Sequence, residues 1–223
     1  MNFEKLLSPI DVYCERTSAL YWAEPVNALT NLVFILVGCY FLLVIKKQEL
    51  KSKSLKFLSV NTIVVGVGSF LFHTHANFWS MWFDILLILV LICAIFYIVG
   101  RHMLNFSKMV SVFLVIGFFV VGYALQVLVP PYFNGSIVYS HAVFGLLVVS
   151  YLLGKHSPKV GKYYLASTGA FFISLTFRTF DHEICDLFPL GTHFLWHTFN
   201  GATLWFAIQG VYVFQFEKGS KVK

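Results

Sequence analysis

Charge is scarce in this sequence. Only 12% of its 223 residues are Asp, Glu, Lys or Arg, whereas 58% are hydrophobic and 25 are Phe. Mean hydropathy reaches +0.77. A water-soluble domain cannot hide that much apolar surface, which excludes the ordinary soluble classes and leaves the membrane class. Internal repeats, low-complexity tracts and polar linkers are also missing. One domain spanning 1–223 is therefore expected. Residues 1–25 are polar and charged, unlike the short apolar core of a cleavable signal peptide, so no such peptide is expected.

What is abundant is long apolar runs. They lie near 27–45, 57–75, 78–99, 109–129, 136–154, 163–179 and 192–214, each long enough to be read as a membrane-spanning helix. The expected fold is an all-α integral membrane protein, a bundle of seven transmembrane helices. The net charge of +6 would suit nucleic acid, but its distribution reads as topology instead. Lys46, Lys47, Lys51, Lys53, Lys56, Arg101, Lys108, Lys155, Lys159 and Lys162 fall in the first, third and fifth loops, and Lys218, Lys221 and Lys223 in the tail. Only Lys5, Arg16 and Arg178 fall on the other side. The positive-inside rule then places segment 1–25 outside and the tail 215–223 in the cytoplasm. No nucleic-acid partner is expected; the partners are the membrane and a lipid drawn from it.

That sidedness sorts the four cysteines. Cys39 and Cys93 fall inside spans and read as small core residues. Cys14 and Cys185 share the non-cytoplasmic side, where disulfides survive, so a bridge between them is expected.

The polar residues inside the apolar runs carry the chemistry. Ser69 and Asp84 stand about seven residues before and after a turn expected near Ala76-Asn77. At ~1.5 Å per residue, both sit on the order of 10 Å below that turn. His73 lies one helical turn from Ser69 on the same face, and His193 and His197 open the last run at i,i+4 spacing. The topology brings all five to the outer half of the bundle. Ionisable groups in a bilayer are costly and face a protein interior. A buried Asp84 needs a cation, and with no Lys or Arg expected at its depth, a metal ion is the natural partner. Three neutral imidazoles make a zinc site with one open position, where bound water has a pKa of ~7. Asp84 then suits a general base, and Ser69 a donor to a developing oxyanion. His197 alone reads equally well as a helix-facing residue bonded to a neighbour. His75 points toward the turn, His102 and His156 sit in basic loops, and His141 reads as a bonded core residue. The carboxylates of Asp181-His-Glu-Ile-Cys-Asp186 are expected to be solvated.

The pattern S-x3-H, then Asp eleven residues after the His, then H-x3-H opening a seventh helix, resembles the alkaline ceramidase family. That family sits in a wider superfamily of seven-helix membrane hydrolases and adiponectin-receptor-like proteins. The likeness extends to Tyr13-Cys14-Glu15, to Ala23-Glu24-Pro25-Val26-Asn27 with Asn31, and to Asp181-x3-Cys185. It implies zinc on His73, His193 and His197, Asp84 as general base, Ser69 steadying a tetrahedral intermediate, and a Cys14–Cys185 disulfide. The implied reaction cleaves a ceramide amide to a sphingoid base and a fatty acid. A calcium site near Asp11, Glu15 and Glu24 is also implied. Here the pattern departs: Asp11 is displaced by one residue, Arg16 and Thr17 replace acidic and amide residues, and the stretch to Glu24 is shorter. Glu24 with Asn27 as cap and anchor of the first helix is the alternative.

Three functions therefore compete: a zinc amidohydrolase acting on a lipid amide, a receptor of the same superfamily with structural zinc, and a bis-histidine membrane haem protein. Ser69 and Asp84 favour the first, since haem ligation needs neither and a closed structural site usually supplies a fourth ligand.

Overall fold

The computed structural model describes residues 3–220, so Lys221 and Lys223 of the expected tail lie outside the described residues. All regular elements among the described residues are helical, apart from one isolated bridge between Pro9 and Asn77. A short α1 (Phe3–Leu7) precedes an irregular segment that leads to α2 (Pro25–Thr30) and α3 (Leu32–Lys47). Then come α4 (Lys53–His75), α5 (Phe78–Ile98), α6 (Lys108–Leu128), α7 (Ser140–Gly154), α8 (Pro158–Phe180) and α9 (His193–Ser220). Five segments are long and apolar enough to cross a membrane: Pro25–Lys47, Lys53–His75, Phe78–Met103, Lys108–Leu128 and Ser136–Gly154. The remaining two, α8 with 23 residues and α9 with 28, match them in length.

Caps explain where the helices begin. Ser52, Ser107 and Ser157 each accept a hydrogen bond from the backbone N–H three residues on, starting α4, α6 and α8, and Pro158 occupies the first turn of α8. This is why α8 starts five residues before the apolar run that announced it: Lys159 and Lys162 are polar, but they follow a cap. At the other end of the chain, α9 continues to Ser220, six residues past the apolar run, so most of the expected tail is helix.

The α4–α5 turn is the tightest connection near the site. Ala76 adopts a left-handed conformation (φ 41°), and Asn77 then starts α5 through a capping box with Ser80. The N-terminal segment is pinned to this turn, with Ile10 N–H donating to the Ala76 carbonyl at 2.7 Å.

Small and hydroxylated residues bind α7, α8 and α9 together, the packing expected where lipid supplies no hydrophobic drive. Ser167 and Ser174 on α8 donate to the carbonyls of Thr203 and Trp196 on α9, both at 2.9 Å. Where α7 crosses α8, a side chain on Gly161 would come within 2.5 Å of the Gly154 Cα. These bonds account for the polar character of the sixth run.

The apolar core gathers Phe41, Leu55, Leu58, Leu153, Tyr164 and Ile208 near the basic-loop end. Helix α6 stands apart: Ser111 is its one buried residue. Cys39 is exposed, so the expectation that it lies in the core is corrected; Cys93 is half-buried and lines a groove between α5 and α6.

Candidate active site

At the opposite end, the last turn of α4 and the first two turns of α9 converge. His73, His193 and His197 are 1–2% exposed. One nitrogen from each lies within 4.8 Å of the others, and the ring centroids are 4.6–5.2 Å apart.

The outer nitrogens decide how the inner ones behave. His73 Nδ1 sits 2.6 Å from Glu24 Oε2. His197 Nδ1 sits 3.0 Å from the Thr30 hydroxyl, whose own proton goes to the carbonyl of Val26 or Asn27. A carboxylate and an already-donating hydroxyl can only accept, so both Nδ1 atoms carry the proton and both Nε2 atoms hold lone pairs. Those two Nε2 atoms face each other at 3.1 Å. Neither can donate to the other. A shared cation resolves this, and tetrahedral zinc at 2.0–2.1 Å from each nitrogen would hold them about 3.3 Å apart. The third histidine leaves His193 Nδ1 buried and unpartnered. The donor set and its spacing fit zinc.

Asp84, in the second turn of α5, is 9% exposed, with Oδ1 buried and unpartnered. Ser69, one turn before His73, is buried and interacts with that carboxyl. Asp84 is not among the atoms that share ligand distance.

The N-terminal segment closes the site from above. Cys14 and Cys185 form a disulfide, as expected from their sidedness. Tyr13 stacks on His193 with centroids 3.7 Å apart. Glu24 is 3% exposed. Burial alone would raise its carboxyl, but the hydrogen bond from His73 and the hydrogen bond and charge of Arg16 outweigh this and hold it below the usual range, so it stays ionised.

Three expectations are corrected. Glu24 occupies the N-cap position of α2 without capping it; Glu15 does so instead, accepting from Val26 and Asn27 N–H at 2.7 and 2.8 Å. Burial raises the Glu15 carboxyl above its ordinary value despite those two bonds. Second, Asp11, Glu15 and Glu24 do not assemble into a calcium site: Asp11 is exposed and the other two carboxylates are committed elsewhere. Third, Asp181 is not solvated. At 1% exposure it accepts from the N–H groups of Thr192 and His193 at 2.7 and 2.9 Å, starting α9, and from Cys14 N–H at 3.3 Å. The sequence carried a signal for it, an acidic residue shortly before a Gly-Thr turn and a helix, but its loop setting masked it.

The ceramidase family model matches residues 6–222, nearly the whole chain. The chain belongs to the ceramidase family. Ceramidases are hydrolases acting on amide bonds, and the five apolar spans agree with a ceramidase being a membrane protein. No curated protein matches the chain individually.

Proposed function

We propose that this ceramidase-family protein is a zinc-dependent intramembrane amidohydrolase that cleaves ceramide or a related N-acyl lipid to an amine and a fatty acid. The observation that carries the reading is the pair of proton-free Nε2 atoms facing each other at 3.1 Å. When bound, zinc supplies Lewis acidity, polarising a carbonyl and making water acidic enough to attack near neutral pH. The chain's own residues manage the proton. Asp84 Oδ1, buried and without a partner, accepts it and returns it to the leaving amine nitrogen. Ser69 holds the Asp84 carboxyl before this transfer, and afterwards its hydroxyl is free to donate to the developing oxyanion.

The haem alternative lacks support, because three rings converging at 4.6–5.2 Å leave no room for a macrocycle between any two. All seven long segments are read as spans, with the N-terminus outside and the C-terminus cytoplasmic. The support is the division of basic residues: among the described residues, Lys5, Arg16 and Arg178 lie at the histidine end and the other 11 at the opposite loops and the end of α9. A reporter fused after Lys223 is expected to read as cytoplasmic; an external reading reverses the orientation. The test of function is a lipid-amide hydrolysis screen on purified protein, run with a chelator control and an Asp84→Asn preparation. Chelator-sensitive release of fatty acid is expected, and chelator-resistant turnover would refute zinc dependence.

A further inference from the structure

Arg16 is 6% exposed and surrounded by oxygen. Its Nε donates to Glu24 Oε1. Its Nη1 donates to the carbonyls of Ser18 and Leu20 at 3.0 and 3.4 Å, and its Nη2 to the carbonyl of His73 at 2.9 Å. One carboxylate and three carbonyls are the donor set a hard divalent cation would take. Here a cation tethered to the chain occupies it.

We propose that Arg16 is a positioning residue for the metal centre, a built-in cation that holds Glu24 against His73 and makes this part of the protein independent of calcium. The inference rests on the zinc reading of the three histidines. Arg16 grips one ligand in two ways. Through Nη2 it fixes the main chain of His73, and through Glu24 it fixes the imidazole, because occupying Oε1 leaves Oε2 aimed at Nδ1. Asn27 Nδ2, at 3.3 Å, adds a weaker hold on the same Oε2. Partners that orient a ligating histidine typically control metal affinity by ~10–100-fold. A planar fork of five donors spans a carboxylate and separate carbonyls, which the point charge of a lysine does not. The positions that would otherwise supply calcium ligands are spent: Glu15 caps α2 and Asp11 faces solvent.

The test is zinc affinity of the full chain in detergent, measured by competition with a chromogenic chelator. Wild type, Arg16→Gln, Arg16→Lys and His193→Ala are compared. Arg16→Gln is expected to bind zinc ~10–100-fold more weakly, with Arg16→Lys between it and wild type. Low millimolar guanidinium should restore part of the affinity of Arg16→Gln and none to His193→Ala. Calcium chloride should leave the zinc affinity, Tm and amide turnover of wild type unchanged. Equal zinc affinity in Arg16→Gln and wild type would overturn the positioning role while leaving the zinc site standing. Should Arg16→Gln fail to fold, wild-type affinity in Arg16→Lys overturns it equally. A calcium-dependent rise in Tm or turnover would overturn the calcium-free assignment. Wild type without zinc would instead refute the reading on which the inference rests.

Discussion

Where Leu58, Tyr164 and Ile208 meet, near the basic loops, the bundle buries hydrocarbon; at the other end it buries Arg16, Glu24, Ser69, His73, Asp84, Asp181, His193 and His197. The first set needs only shape. The second needs every partner in place, because each buried charge or donor left alone carries a large penalty. One end is thus tolerant of replacement by similar volumes, while the other is tied to particular atoms. A membrane helix bundle holds this asymmetry because the polar end is tied by a segment outside the helices, through the Cys14–Cys185 bond, the Ile10–Ala76 hydrogen bond and the Arg16–Glu24 pair.

The sharpest way to break the contrast is to remove a histidine. Metal analysis should find about one zinc per wild-type chain, as a three-histidine site requires, and His197→Ala should bring both zinc and turnover to background. Zinc retained in full by His197→Ala would strike it from the ligand set. Next in size is Asp84→Asn, which keeps shape and removes the proton acceptor. Turnover should fall ~10²–10⁴-fold with zinc still bound. Zinc lost in step with activity would make Asp84 an orienting residue instead. Thr30→Val removes the acceptor for His197 Nδ1 and should weaken zinc ~10-fold, at the low end for such partners; unchanged affinity would mean that the hydroxyl is incidental. The smallest effect on chemistry belongs to the apolar end. Ile208→Ala should cost ~2–5 kcal/mol of stability by cavity formation, yet leave zinc stoichiometry at the wild-type value in protein that remains folded.

The helices were legible because apolar runs report lipid and packing directly, and the errors fell at their ends. Lys159 and Lys162 hid the first turn of α8, which Ser157 and Pro158 specify through capping. The convergence of His73, His193 and His197 was legible as well, since helical periodicity and the order of the helices carry them to one end of the bundle. The carboxylate of Glu24 was assigned a different task. Its partner His73 is 49 positions away, and Glu24 itself ends an irregular segment whose path no periodicity announces. Arg16 presented the same difficulty. A lone arginine near a terminus reads as a surface charge until the oxygens around it are seen. Asp181 was misjudged because a loop location usually means water, and here the disulfide and the start of α9 exclude it.

The disulfide also sets an order of events. It joins residues 171 positions apart, and Glu24 and Arg16 follow Cys14 closely while His193 and His197 follow Cys185. On the proposed topology, α9 is the last span to insert, so the early half of the metal site waits through the placement of every other helix. The bond can form only once both cysteines have reached the oxidising side, and that is also when the third histidine arrives. On that topology, maturation of the centre is a late event on the extracytoplasmic face, and a chain arrested before α9 would display Glu24 and His73 with nothing to complete them.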